Sequence, residues 1–414
     1  MRVLGSAQAF GFGPVAKLVS LAAQLQRSRI HFIGSGIALD YARLNGKGFT
    51  DIDEFDLSDT AATRAIVRQY DSVISVMEPM LVYAAVRERV PVRFFDSLFG
   101  FWIVGRGFAE LGRVAEAVRL GSDEEAAAAF GSLSVHESMV VAHMMATESF
   151  AQAFPGVTER VDLLALQGFE STTVTGAMVD LGELNPIVQR TPRTLVANLG
   201  GFTNAFLDYE KHGAYVDVML RWLQRMAADG CDFDEIIVCS GAFRRSREYT
   251  VNGVRMRIGL LPHADLLELL STGPVYMAPP GLTSLHEAAA LEVPVMLLPD
   301  QHHGHTHNRE SLAGTLVERY GASFGEAGFD KDNPDDDLAG TLALADLAAQ
   351  IDKSPELFEE FADYADRKLS AFIDVCRRDR RAYVRELQRL THGVPIAEVI
   401  RRIDVDEHNA ELVS

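Results

Sequence analysis

The sequence is poor in cysteine, in positive charge and in long apolar runs. Its 414 residues include three cysteines, Cys231, Cys239 and Cys376, and so few, widely spaced thiols argue against a disulfide framework or a zinc site. Lysine and arginine number 39 against 58 aspartates and glutamates, which gives a formal net charge of −19. Nucleic acids and anionic membrane surfaces would repel such a chain, so neither is expected as a partner.

Apolar segments long enough to span a bilayer are missing. The stretch from Met139 to Phe150 is interrupted by His143 and Glu148, and a spanning helix needs about 18 apolar residues. The N-terminus leads directly into a strand-like segment, without the basic and apolar regions of a signal peptide. These features predict a cytoplasmic protein without integral membrane association.

Strand and helix patterns alternate along both halves of the chain, whose length suits two domains of about 200 residues each. A strand at residues 2–7 leads into a glycine turn, and after the polar segment 181–193 the pattern restarts with a strand at residues 194–199. We therefore predict an α/β fold with two Rossmann-like, doubly wound domains. The predicted boundaries are an N-terminal domain over residues 1–185, a second domain over 186–350, and C-terminal helices over 351–414 that pack back across the domain junction.

The first half contains three candidates for a proton-accepting base. Asp96 ends a predicted strand, where the alternative is a cap of the next helix, and His136 and His143 lie in a segment of helical spacing, residues 103–154. The histidines are seven residues apart, about 10 Å along a helix, and therefore cannot share one zinc ion. Residues 161–166 are predicted to form a strand.

The stretch 273–308 reads as a strand, a turn with proline and glycine, a helix, a second strand and a polar loop. In an open parallel sheet, the loops after the carboxyl ends of strands bind ligands. Gly281 would let a diphosphate approach the backbone, and Thr283 and Ser284 add donors at a helix N-terminus. Glu287, expected three residues into the helix, is either a ligand of ribose hydroxyls or one half of a capping box with Ser284.

The polar loop concentrates four of the twelve histidines, His302, His303, His305 and His307. Three interpretations remain open: a surface loop without special function, a metal cluster that lacks nearby carboxylate or thiolate partners, and rings that donate hydrogen bonds to a sugar. If that sugar carried a carboxylate, histidines would suit it electrostatically.

The motifs GGFTN (200–204), LPH (261–263) and PPGLTS (279–284), with the segment from Asp300 to Asn308, give the second half a resemblance to a known family. It resembles the nucleotide-sugar domain of the GT-B glycosyltransferases, whose two Rossmann-like domains face each other across a cleft. The resemblance implies a nucleotide sugar on the second domain, an acceptor on the first, and no metal or other cofactor. It assigns to the nucleotide sugar Gly13, Gly201, Thr203, Asn204, Gly241, Leu261, Pro262, Gly281, Leu282, Thr283, Ser284, Glu287, Asp300, Gln301, His302 and Asn308.

Two positions depart from the family pattern. Pro280 replaces a common glycine, and Phe12 stands where the first glycine turn often carries the catalytic histidine. The base must then come from Asp96, His136 or His143. The segments GFGPVAKL, FDSLFGFW, PPGLTS and LPDQ are also similar to the cytosylglucuronate-synthase-like branch.

The resemblance predicts a glycosyltransferase that moves a hexosyl or glucuronosyl group from a UDP-type donor to a small acceptor, such as a nucleobase or another secondary metabolite. One alternative is a UDP-sugar 2-epimerase, which uses the same two-domain scaffold but needs acidic residues around the sugar. The other is a sugar-nucleotide-binding protein without activity. The sparse carboxylates near the histidine loop weigh against the epimerase.

Overall fold

The chain forms two compact units, one over residues 1–180 and 391–414 and the other over residues 181–390. The predicted domain boundaries at residues 185 and 350 stay predictions. The computed structural model describes residues 1–182, 184–187, 192–200, 207–208, 212–243, 245–329, 334 and 336–413, with side chains as far as residue 404.

A fully parallel sheet of seven strands lies at the centre of the first unit. Its strands are β1 (Arg2–Ala7), β2 (Arg29–Gly34), β3 (Phe49–Glu54), β4 (Ser72–Val76), β5 (Val92–Asp96), β6 (Glu148–Gln152) and β7 (Thr172–Thr175). Their order is β3-β2-β1-β4-β5-β6-β7, and Val3 of β1 lies opposite Ile30 of β2 and Ser72 of β4. Every residue of β4 and β5 is buried, as is typical of parallel strands covered on both faces.

Helices follow most of these strands, and several begin at a side-chain cap. They are α1 (Phe12–Gln24), α2 (Gly36–Asn45), α3 (Thr60–Val67), α4 (Pro79–Arg87), α5 (Phe108–Leu120), α6 (Asp123–Gly131), α7 (Val135–Met145) and α8 (Val157–Leu166). Asp59 caps α3, and Ser122 and Ser134 each form a capping box that fixes the first residue of α6 and α7.

A sheet of six strands forms the centre of the second unit. Its strands are β8 (Thr194–Asn198), β9 (Glu235–Cys239), β10 (Arg247–Val251), β11 (Val254–Gly259), β12 (Val275–Ala278) and β13 (Val295–Leu297). Their order is β10-β11-β9-β8-β12-β13, and every pair is parallel except the hairpin of β10 and β11.

The helices of the second unit are α9 (Ala214–Asp229), α10 (His263–Ser271), α11 (Leu282–Ala290), α12 (His303–Ser311), α13 (Leu316–Arg319), α14 (Asp337–Lys353) and α15 (Pro355–Leu390). Helix α15 is kinked at Asp379, whose φ of −146° and ψ of 43° are not helical. The chain then returns to the first unit, where Val394 bridges to Thr175 of β7 before the last helix, α16 (Ile396–Val413).

The predicted α/β fold with two Rossmann-like domains is confirmed, but several elements differ from the sequence-based expectation. The predicted strand at 161–166 is wrong, because these residues end α8, where Val157 and Leu164 lie two turns apart and are both buried. Residues 148–152, expected to be helical, form the buried strand β6. No helix of the described residues is long and apolar enough to cross a membrane.

Candidate functional site

The strand order of the second unit reverses between β8 and β12. From β8 the sheet extends through β9 to β11, and the chain then returns to add β12 and β13 on the other side. The loops after β8 and β12 therefore flank the position at which open α/β sheets bind ligands. These loops contain Gly200 and the segment 279–284, as the sequence motifs predicted.

The turn after β8 depends on a glycine. Gly200 has a φ of 72°, and its amide donates to Oδ1 of Asn198 over 3.1 Å. Its carbonyl accepts from the amide of Gly241, 3.0 Å away, and from the hydroxyl of Ser240, 3.2 Å away. The predicted site residue Gly241 is thereby joined to this turn. The predicted residues Gly201, Thr203 and Asn204 lie outside the described residues.

Two residues predicted to bind the nucleotide sugar hold these loops together. The side-chain amide of Gln301 donates to the carbonyl of Leu199 over 2.7 Å, and that of Asn308 donates to the carbonyl of Pro280 over 2.8 Å. Both side chains are buried. The loops after β8, β12 and β13 are thus fixed relative to one another, and a direct contact of Gln301 or Asn308 with a ligand stays a prediction.

Helix α11 begins earlier than the sequence motif suggested. Gly281 is its N-cap and has no side chain to form a cap, so Leu282, Thr283 and Ser284 occupy the first turn. Their amides are among those that lack a partner within the helix. The proposed capping box of Ser284 and Glu287 is wrong, because the proline-glycine turn starts the helix three residues before the position that a Ser284 cap requires.

Glu287 therefore lies in the second turn of α11, where it pairs with a histidine. Its side chain is 3% exposed, and its Oε1 lies 2.6 Å from Nε2 of His263. His263 is the first residue of α10 and follows Leu261 and Pro262, so the pair joins the predicted LPH loop to α11. Among the described residues, no group hydrogen-bonds the second carboxylate oxygen of Glu287. The sequence indicated Glu287 but not its histidine partner.

The histidine-rich segment is a helix, not a loop. His302 is extended and is the N-cap of α12, whose start is held by a hydrogen bond of 3.1 Å from the amide of His303 to the hydroxyl of Thr341. The segment has no apolar stripe, so helical periodicity could not be recognised. Nε2 of His305 would lie 3.5 Å from a Cβ built on Gly281, which places this helix beside the start of α11.

Burial favours the neutral form of two of these histidines, His302 and His305. The rings of His302 and His305 stack with their centroids 3.8 Å apart. Burial lowers the pKa of His302 to about 4 and the pKa of His305 well below its usual range. Without a ligand these two rings carry no charge that would attract a carboxylate, although a neutral imidazole still donates one hydrogen bond.

Asp300 forms an ion pair that the sequence did not suggest. Its Oδ1 lies 2.9 Å from Nε of Arg309, whose guanidinium also donates to the carbonyls of Leu298 and Ala322. The pair carries no net charge, so Asp300 adds little negative potential at the turn after β13. No pattern of spacing links these two residues, because both the loop and the helix are needed to bring them together.

In the first unit, two of the three base candidates form a closed buried network. Oδ1 of Asp96 accepts from the amide of Leu98 over 2.7 Å, and Oδ2 lies 2.5 Å from Nε1 of Trp102 and 3.2 Å from Nε2 of His143. Nδ1 of His143 lies 3.1 Å from the hydroxyl of Ser149. Asp96 and His143 are both 0% exposed. The alternative of a helix cap is wrong for Asp96, because the next helix, α5, has its N-cap at residue 107.

The third candidate, His136, lies beside the same loop. Its ring is half-buried against Phe101 and Trp102, with centroid distances of 5.3 and 5.1 Å, and its Nδ1 accepts from the amide of Ile103 over 3.3 Å. Arg160 holds the loop in place through the carbonyls of residues 100 and 102. The structure thus gathers all three candidates around residues 96–103, which sequence spacing could not show.

A search of the described part of the chain finds no group of three or more histidine, cysteine, aspartate or glutamate side chains placed to hold a metal ion. The expected metal independence stays a prediction.

Comparisons with known proteins identify the fold. No family model matches the sequence, and no curated protein matches it. A UGT transferase from Siraitia grosvenorii, solved in complex with UDP, has 10% sequence identity and a TM-score of 0.53 over 98% of this chain and 99% of that one. The spinosyn rhamnosyltransferase SpnG, complexed with thymidine diphosphate, has 12% identity and a TM-score of 0.51 over 98% of this chain and 100% of that one. The chain therefore has the fold of the GT-B glycosyltransferases.

Proposed function

We propose that the protein is a glycosyltransferase that moves a sugar from a nucleoside-diphosphate donor of the UDP type to a small-molecule acceptor. The observation that carries this proposal is the set of three joined loops at the strand-order reversal of the second unit. They present Gly281 and the first turn of α11 at one edge of the sheet, and Glu287 of that helix pairs with His263 at the start of α10. The two structural neighbours are in complex with UDP and thymidine diphosphate, which supports this class of ligand.

The donor would bind through backbone amides of α11 and through side chains that include the carboxylates of Glu287 and Asp300. The diphosphate is assigned to the first turn of α11, residues 282–284, where the helix dipole favours negative charge and the glycine at 281 lets a phosphate approach the backbone. The unpartnered oxygen of Glu287 is assigned to the ribose hydroxyls. Asp300, Gln301, His302 and Asn308 remain the predicted sugar contacts, with His302 acting as a neutral hydrogen-bond partner.

Catalysis would follow from stabilising the leaving group and deprotonating the acceptor. The amides of α11 stabilise the charge that develops on the departing diphosphate. A side chain of the first unit takes the proton of the acceptor. Hexosyl or glucuronosyl transfer, the narrower cytosylglucuronate-synthase-like assignment and a cytoplasmic location stay predictions.

The test is to incubate the protein with UDP-glucose, UDP-N-acetylglucosamine, UDP-glucuronate and a thymidine-diphosphate sugar, with and without a panel of hydroxyl- and amine-bearing acceptors. UDP or thymidine diphosphate release that requires the acceptor is the expected result. A new nucleotide sugar formed without acceptor would instead identify an epimerase. Binding without either product would identify a sugar-nucleotide-binding protein and contradict the proposal.

A further inference from the structure

We infer that Glu78 is the general base of the first unit. It removes the proton from the hydroxyl or amine of the acceptor substrate during transfer. This inference rests on the proposed glycosyltransferase function. Strand β4 ends at Val76, Met77 follows it, and Glu78 comes next as the N-cap of α4. It shares with Asp96 a place at the carboxyl end of a strand, but its surroundings are different.

Glu78 lies where the strand order of the first unit reverses. The chain runs from β1 outward to β2 and β3 and then returns to β4 on the other side of β1, so the loops after β1 and β4 flank the ligand position of this sheet. The amide of Gln8, just after β1, donates to the carbonyl of Val76 over 3.0 Å. The turn after β1 carries Phe12, whose ring packs on Tyr41 and cannot take a proton.

The backbone before Glu78 is held in an uncommon conformation. Met77 is not glycine, yet its φ is 55°, and it is completely buried. Its amide donates to the carbonyl of Phe95, while the hydroxyl of Ser75 donates to the carbonyl of Glu78 over 2.7 Å and accepts from its amide over 3.3 Å. Left-handed backbone at a non-glycine residue is strained and is concentrated at functional sites. Here it fixes the direction in which the Glu78 side chain leaves the sheet.

The carboxyl group of Glu78 has one committed oxygen and one available oxygen. Oε1 accepts from the amide of Met80 over 3.3 Å, and within the described part of the chain no group hydrogen-bonds Oε2. Burial raises the pKa of Glu78 to about 7, with the bond from the Met80 amide as a smaller, opposing influence. A base whose pKa lies near the operating pH transfers protons efficiently.

The other candidates in the first unit are less suited to accept a proton. Both oxygens of Asp96 and both ring nitrogens of His143 already have partners in the buried network. Nδ1 of His136 accepts from a backbone amide, so a neutral His136 ring carries its proton on Nε2 and offers no lone pair there. Glu78 combines a position at the end of a strand with a carboxylate oxygen that no described residue hydrogen-bonds.

The step is a single displacement at the anomeric carbon. The acceptor oxygen or nitrogen forms a bond to this carbon while the bond to the diphosphate oxygen breaks, and the nucleoside diphosphate leaves with the electron pair. The acceptor proton passes to Oε2 of Glu78, which later returns it to water. Such a displacement inverts the configuration of the anomeric carbon.

The experiment compares Glu78→Gln with Asp59→Asn, because both amides keep an oxygen for the helix cap and remove only the carboxylate. Asp59 caps the neighbouring helix α3 through a bond of 3.0 Å from the amide of Ala62 and is exposed. We expect Glu78→Gln to lower kcat with acceptor about 100-fold or more, the usual contribution of a general base, and to leave the Kd for UDP unchanged. Asp59→Asn should retain full activity.

Three outcomes separate the two levels of the proposal. If the wild type releases UDP only with acceptor and Glu78→Gln retains this activity, the role of Glu78 is overturned but the proposed function is not. Absence of such release from the wild type overturns the proposed function and this inference together. If Glu78→Gln folds poorly, Glu78→Asp provides the second variant, since it keeps the charge but shortens the side chain, and wild-type activity in Glu78→Asp with a normal circular dichroism spectrum would contradict a positioned base.

Discussion

The carboxylate of Glu287 is buried against the imidazole of His263, 2.6 Å away, in a helix whose first turn has no side-chain cap. Burial of a carboxylate is costly unless hydrogen bonds compensate it, and here one oxygen has a partner while the other has none among the described residues. A capping role would explain Glu287 without a ligand, but the helix begins too early for it. We propose that the second oxygen of Glu287 serves a ligand.

Glu287→Gln tests that explanation at the residue scale. The amide keeps an acceptor for His263 but lowers the strength of a charge-assisted bond to ribose, so the Kd for UDP should rise about tenfold, or about 1.4 kcal/mol. Isothermal titration of UDP measures the change, and thermal unfolding shows whether the fold is affected. Glu268→Gln, on the exposed side of α10, is the matched control. An unchanged Kd with a lowered Tm would mean that Glu287 is only structural.

Glu78 gives a second prediction, on stability rather than activity. Burial raises its pKa to about 7, above the ordinary value of 4.5, so the folded state binds a proton more tightly than the unfolded state. The contribution of this carboxyl to the unfolding free energy is therefore fully present below pH 4.5 and is lost as the pH rises through 7. Glu78→Gln should gain about 1–3 kcal/mol of unfolding free energy relative to the wild type at pH 8 and little at pH 4. Equal pH dependence of the two proteins in urea unfolding would contradict a raised pKa of the Glu78 carboxyl.

At the scale of elements, the site of the second unit is a set of loops joined by buried amides. Asn308 on α12 holds the carbonyl of Pro280 and thereby the start of α11, while Gln301 holds the end of β8. Neutral histidines fill the space between α11 and α12 without adding charge. The amides of α11 are thus oriented before any ligand arrives, and preorganised donors of this kind stabilise charge most effectively.

Asn308→Ala tests whether these buried hydrogen bonds between the loops support the site. It leaves the buried carbonyl of Pro280 without its donor, so the unfolding free energy should fall by about 1–3 kcal/mol and UDP should bind more weakly. Asn45→Ala in the first unit removes a similar bond, from its side-chain amide to the carbonyl of Tyr41, and should leave the UDP affinity unchanged. If both variants bind UDP like the wild type, the hydrogen bond from Asn308 to Pro280 does not contribute to UDP binding.

Elements with a strong apolar pattern could be predicted from sequence, and elements defined by distant contacts could not. The buried run IIVC of β9 predicts a strand. The edge strands β3 and β10 are polar and largely exposed, so they lack the apolar pattern that predicts a strand. Helix α12 lacks an apolar stripe, so its sequence predicts a loop. Likewise, PPGLTS located the start of α11, but the pairs of Glu287 with His263 and Asp300 with Arg309 depend on long-range packing.

At the scale of the whole molecule, the two units repeat one plan. In each sheet the strand order reverses beside the first strand of the unit, β1 or β8. The turn after that strand contains a glycine with positive φ, 77° at Gly11 and 72° at Gly200. A carboxylate follows on the other side of the reversal, Glu78 in the first unit and Glu287 in the second. The repeated plan places chemically distinct groups at equivalent edges of the two sheets.

The central claim is that the second unit binds the nucleotide of the donor, and hydrogen–deuterium exchange of the full chain with and without saturating UDP tests it most directly. We expect slower exchange in peptides that cover residues 279–290 and 299–311, because UDP engages the amides of α11 and stabilises the loops beside it. Peptides over residues 76–87 of the first unit should exchange at an unchanged rate. Protection confined to the first unit, or no protection anywhere at saturating UDP, would contradict the claim.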